Sequence, residues 1–114
     1  MDTLFEFRKG VLFVKIKGVI TKETLEKYYE VISMIKDNGI RKVVLNLEKV
    51  YKIDLKGINM LFYTYEIINN NKGELYFSNV NDNIRFRIIR SHINRYIKLI
   101  EEEIDIFKEE EIYE

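Results

Sequence analysis

Residues 43–62, VVLNLEKVYKIDLKGINMLF, decide the fold. The apolar run Val43, Val44, Leu45 and Leu47 is what a strand buried on both faces requires. A short link anchored by Ile53 follows, and Asp54-Leu55-Lys56-Gly57 turns the chain into a helix from about residue 56 to 70. The apolar positions of that helix, Ile58, Leu61, Phe62, Tyr65 and Ile68, recur at the three- and four-residue spacing of one helical face. Asp54 stands where a carboxylate accepts hydrogen bonds from the free N–H groups at a helix start. Gly57 permits either a close backbone approach or a positive φ.

Outward from this unit the chain alternates strands and helices. Leu4–Arg8 and Val11–Lys17 are rich in β-formers, and Lys9-Gly10 between them suits a hairpin turn. Val14 and Ile16 alternate with Lys15 and Lys17, as one buried face demands, and Gly18 is expected to end the strand. Thr21 is a helix N-cap candidate with Glu23 in the first turn, and Leu25, Tyr28, Tyr29, Ile32 and Ile35 then fall at helical spacing. Gly39 is the left-handed terminator. Gly73 opens a strand over Glu74–Ser78, and Asn81 or Asp82 caps a helix that turns Ile84, Ile88 and Ile89 inward. From about Ile97 a short extended piece leads to a last, acidic helix from about residue 101. The order β-β-α-β-α-β-α-(β)-α predicts an α/β domain: a mixed sheet with an N-terminal hairpin and parallel strands, covered by about four helices lying mainly on one face.

The strand, the tight Asp-x-x-Gly turn and the helix together resemble the signature of the STAS domain, the fold of bacterial anti-sigma factor antagonists. Gly18-Val19-Ile20-Thr21, Leu45-Asn46-Leu47-Glu48-Lys49-Val50, Gly73-Glu74-Leu75 and Ser91-His92-Ile93-Asn94-Arg95-Tyr96-Ile97 resemble further family segments in order and spacing, so the likeness covers nearly the whole chain. In the last of these the family pattern is Thr-Gly-Leu-x-x-x-Leu. Family members that act as phosphorylation switches carry Asp-Ser-Ser-Gly at the turn, and the second serine accepts phosphate. Here Leu55 and Lys56 take the two serine positions, Asn46 replaces an acid, and Thr21 replaces another.

The resemblance implies a protein-binding regulatory module whose partner is an anti-sigma factor or a related kinase-like protein. The partner face it implies includes Asp54, Leu55, Lys56, Gly57 and Thr21. Phosphate would add about −1.5 to −2 charges, whereas Lys56 adds a positive one and cannot mimic the phosphorylated state. A cation at a helix N-terminus is also mildly unfavourable, so Lys56 either has Asp54 or Glu48 as compensation or points into water. The alternative is a STAS-type scaffold or transport-associated subunit with no kinase partner. Thr64, the nearest helical hydroxyl, lies two turns away, roughly 12 Å along the axis, and cannot replace the missing acceptor. Tyr51 is expected to pack.

Composition sets the remaining bounds. A chain of 114 residues with 46% hydrophobic content, eight Tyr and seven Phe has the material for the core of one domain spanning 1–114. No cysteine is present, which excludes disulfides, thiolate metal sites and cysteine nucleophiles. MDTLFEFRKG lacks the pattern of a signal peptide and no window reaches the length of a membrane span, so a soluble cytoplasmic protein is the expectation. Net charge is zero, but from Glu101 to Glu114 seven Glu and one Asp against one Lys leave −7, balanced by +7 in residues 1–100. Ile104, Ile106, Phe107 and Ile112 indicate that part of this acidic end packs.

Catalysis and cofactors find little support. His92 is the single histidine, so no metal site with paired His ligands is expected. Ser33, Ser78 and Ser91 lie outside any Gly-x-Ser-x-Gly motif, and Ser91 and His92, being adjacent, do not face each other on a helix. There is no glycine-rich phosphate loop, and no cofactor is expected. Arg85, Arg87, Arg90, Arg95 and Lys98, interleaved with Phe86 and Tyr96, form the one pattern that suits a nucleic acid. Both aromatics suit core or boundary positions equally well, and the acidic tail opposes phosphate binding. A nucleic-acid partner is therefore the remote alternative.

Overall fold

The computed structural model describes residues 1–112, with side-chain surroundings described through Lys108. In chain order it contains β1 (Asp2–Arg8), β2 (Val11–Ile20), a 3-10 turn (Lys22–Thr24), α1 (Leu25–Asp37), β3 (Lys42–Ile53), α2 (Leu55–Asn70), β4 (Glu74–Ser78), α3 (Asp82–Ser91), a second 3-10 turn (Ile93–Arg95), β5 (Lys98–Ile100) and α4 (Asp105–Ile112). The five strands form one sheet in the order β1-β2-β3-β4-β5. β1 and β2 are antiparallel, and every later pairing is parallel. Lys9 and Gly10 both take positive φ, as a two-residue hairpin turn requires.

Alternation along β2 separates two cores. Leu12, Val14 and Ile16 face α1, α2 and α3 and pack with Val43, Leu45, Leu47, Tyr28, Leu61 and Ile84. Val11 and Phe13 face the other way, with Val44, Tyr76 and Ile100, and are covered by Ile106 and Phe107 of α4. Three helices therefore lie on one face and α4 lies on the other. Glu103 fastens this last segment: one carboxylate oxygen meets the Arg8 guanidinium at 2.9 Å and the other accepts from the Asn46 amide at 2.9 Å.

The strands are longer than their apolar runs. Gly18 does not end β2. It adopts φ +112 inside the strand, beside two register breaks, and pairing continues to Ile20 opposite Ile53. The expected link after Leu47 is consequently the second half of β3, held by the same pairing. Gly39 terminates α1 with φ +59, as expected.

Five apolar assignments differ. Tyr29 and Ile89 are half-exposed, and Val31 takes the inward place on α1 that Tyr29 was expected to share. Phe62 and Tyr65 are only partly buried, at the edge of the α2 core. Ile104 is exposed because residues 101–104 form a bend and turn, with the helix itself starting at Asp105. Ile112 lies outside the residues whose side chains are described. Among the described residues no helix is long and apolar enough to cross a membrane.

Candidate functional site

Asp54 closes β3 and opens α2 with extended backbone, and its Oδ1 accepts a hydrogen bond from the Gly57 amide at 2.8 Å. Its Oδ2 accepts from the Lys22 amide at 3.0 Å, so one carboxylate caps α2 and holds the 3-10 turn after β2. Partial burial pushes this carboxyl upward. The two backbone N–H donors at Lys22 and Gly57, aided by the Lys52 and Lys22 charges, outweigh that and hold it below the usual carboxylate range.

Gly57 is helical and needs no positive φ. Its role is close approach: a Cβ there would run into the carbonyl of Ile20 and come within 2.9 Å of Ile53 Cγ2. Any side chain would push α2 off the end of β2. Thr21 is 2% exposed and lies beneath the turn, with its hydroxyl donating to Glu23 at 3.2 Å. Thr21 starts the short 3-10 turn rather than the long helix directly, and the Thr24 hydroxyl accepts from the Thr21 amide at 2.9 Å. Leu55 and Lys56 point outward; Leu55 is 71% exposed. Lys56 has no ion pair among the described residues, so neither Asp54 nor Glu48 neutralises it.

Tyr51 corrects the expectation that it packs. It is 69% exposed, beside buried Val50 near the end of β3. With Lys52, Asp54, Asn83 and Arg87 it edges a shallow groove of about 260 Å³ between the turn and α3. Asn81 sets that geometry. Its Oδ1 caps α3 by accepting from Ile84, while its Nδ2 donates to the Val50 and Glu48 carbonyls at 2.8 and 3.2 Å. Sequence reasoning found the turn but assigned Tyr51 to packing and Arg87 to the basic 85–98 stretch, and it missed Asn83, the third of the residues gathered beside Asp54. Following β3 past Leu47 would have shown Tyr51 to lie beside the buried Val50.

The other candidates disperse. Ser91 donates to the Ile88 carbonyl at 2.7 Å and accepts from the Ile93 amide at 3.3 Å, a local turn and not a nucleophile–base pair. His92 ends α3 in the left-handed conformation, φ 65. Thr64 is fully buried, donating to the Met60 carbonyl at 2.7 Å and lying 2.6 Å from the Tyr28 hydroxyl. Tyr96 rests against the rings of Phe62 and Tyr65, whereas Phe86 lies exposed near Arg90 on α3. Among the described residues no cluster of three or more His, Asp or Glu side chains has a metal-binding arrangement.

The sequence profile of the STAS domain matches residues 3–109. The chain belongs to the STAS domain family. A curated relative, the anti-sigma-B factor antagonist of Staphylococcus aureus, is 32% identical over 71 residues, which cover 62% of this chain and 66% of the relative. The match thus spans just under two thirds of that protein. An anti-sigma factor antagonist from Mycobacterium paratuberculosis superposes with a TM-score of 0.83 at 21% identity, covering 94% of this chain and 91% of the other. The Bacillus cell fate determinant SpoIIAA in its phosphorylated form superposes with a TM-score of 0.71 at 16% identity, covering 94% and 98%. At these identities the structural likenesses establish the fold, which is the mixed five-stranded STAS arrangement expected from the sequence.

Proposed function

We propose that this STAS domain is a protein-binding regulatory module of the anti-sigma factor antagonist type, docking an anti-sigma factor or kinase-like partner through the turn at Asp54-Leu55-Lys56-Gly57. The observation that carries this reading is the division of labour at the turn: Asp54, Gly57 and Thr21 are committed to structure, while Leu55 and Lys56 are offered to solvent. An exposed leucine beside an exposed lysine, on a turn fastened at both ends, is a preorganised contact surface. Tyr51 and Arg87 extend it along the adjoining groove.

Lys56 occupies the position at which switch-type family members accept phosphate, so the module stays competent for its partner without that control. The nearest helical hydroxyl, Thr64, is buried and does not take over. The ammonium of Lys56 is suited to a partner carrying anionic groups, including nucleotide phosphates in a kinase-type site. The reading needs neither a reaction nor a cofactor.

Incubation with a kinase-type anti-sigma factor from the same cells and ATP tests it. Complex formation with no gain of phosphate is expected. Phosphate on residues 51–64 would overturn the loss of control, and recovery of a transporter complex in place of a kinase-like protein would favour the scaffold reading.

A further inference from the structure

β1 is the open edge of the sheet: it pairs with β2 on one side and ends the strand order on the other. Natural edge strands are blunted by proline, charged side chains and lysine above all, a bulge or short length. β1 has seven residues, DTLFEFR, contains neither proline nor lysine, and pairs with β2 without a register break; its charges are of both signs, Asp2 and Glu6 against Arg8. It also leaves Leu4 61% and Phe7 52% exposed.

Charge and face determine what such an edge accepts. Through their partners in β2, Phe5 and Phe7 lie on the face of α1–α3, opposite Val14 and Leu12, and Glu6 and Arg8 lie on the face of α4, opposite Phe13 and Val11. Asp2 and Leu4 follow onto the α4 face by alternation. Suppose a second copy pairs antiparallel about a two-fold axis through Phe5. Phe5 then meets Phe5 of the other copy, Thr3 meets Phe7, Leu4 meets Glu6, and Asp2 meets Arg8, with the last three pairs repeated by symmetry. Both ends of the ribbon carry opposite charges, and Phe5 and Phe7 of the two copies line up as one apolar strip. Sliding the pairing by two residues in one direction sets Glu6 against Glu6; sliding it in the other sets Asp2 against Glu6. Like charges directly opposite are destabilising. A slip of one residue sets the two faces against each other. One register is therefore self-complementary and its neighbours are not.

We infer that β1 is a self-recognition edge: two copies of this chain join β1 to β1 in the Phe5-centred register, making a continuous ten-stranded sheet. The Asp54 turn takes no part in the pairing. The interface is isologous and closes on itself, so it yields a dimer and not a filament.

Sedimentation equilibrium on the whole chain, combined with two cysteine variants, tests this in a protein that has no cysteine of its own. A concentration-dependent dimer is expected. Phe5→Cys, on the axis, should cross-link under mild oxidation, while Phe7→Cys, facing Thr3, should not. Asp2→Arg, a change at an exposed side chain, sets arginine against Arg8 twice and should abolish the dimer at concentrations where the wild type forms it. A wild-type monomer up to the solubility limit overturns the inference. So does a dimer that Asp2→Arg leaves intact, or one that cross-links through Phe7→Cys and not Phe5→Cys.

Discussion

The Asp54 carboxylate and the Lys22 amide, 32 positions apart in sequence, are joined at 3.0 Å, and the same carboxylate caps α2 through Gly57. This pair binds the end of β2 to the start of α2 and fixes where Leu55 and Lys56 project. Asparagine at 54 could still cap α2 through its carbonyl oxygen, but its amide cannot also accept from Lys22. Asp54→Asn should therefore cost about 1.5–3 kcal/mol at neutral pH, the range for one charge-assisted hydrogen bond. The carboxyl is held below its ordinary value, so its contribution is complete above the unfolded pKa, about 3.9, and is lost as pH falls through the folded pKa. Urea unfolding of wild type and variant should show the gap narrowing at acid pH.

Tyr28 and Thr64 form a buried relay. The Thr64 hydroxyl donates to the Met60 carbonyl, so the Tyr28 hydroxyl is the donor to Thr64. Burial pushes the Tyr28 phenol well above its ordinary range. Thr64→Val strands that phenol without a partner and should cost about 1–3 kcal/mol, whereas Tyr28→Phe removes a donor cleanly and should cost about 0.5–1.5 kcal/mol. Thermal unfolding of the two variants should rank them in that order.

His92 is the third test. It is exposed, takes φ 65 at the end of α3, and stands where the family pattern Thr-Gly-Leu has glycine. A left-handed conformation costs a non-glycine residue on the order of 1–2 kcal/mol. His92→Gly relieves that strain but gives back part of the gain through the freer unfolded chain. A net stabilisation of about 0.5–1 kcal/mol is expected, read as a rise in the urea midpoint without a change in slope.

The strand–turn–helix unit was legible because its signals are local: an apolar run, an acid at a helix start, a glycine in the first turn. Thr21 and Gly57 were noticed, but their reason is tertiary. The carbonyl of Ile20 that excludes a Cβ at Gly57 comes from β2, far away in sequence. The second half of β3 was missed because its residues alternate poorly; parallel pairing with β2 holds it in place of hydrophobic pattern. Tyr51 was misread for the same reason. His92 carried no chemistry in the sequence, and its left-handed backbone angle, which favours glycine, was not legible there either.

Lys56 separates stability from binding. Lys56→Asp puts a carboxylate in the first turn of α2, where the helix dipole favours it, and should stabilise the fold by about 0.3–1 kcal/mol. The same change reverses the charge offered to a partner. A variant that melts higher and binds worse is the expected combination, and calorimetry beside a binding assay reads both.

The most direct measurement is affinity capture from the cells that make this protein, with the wild type and Lys56→Asp side by side, in the presence and absence of ATP. Wild type should retain an ATP-binding, kinase-like protein under both conditions, and Lys56→Asp should retain none. Equal recovery by the two, or release of the partner from wild type when ATP is added, would contradict a switch-free docking surface at the Asp54–Gly57 turn.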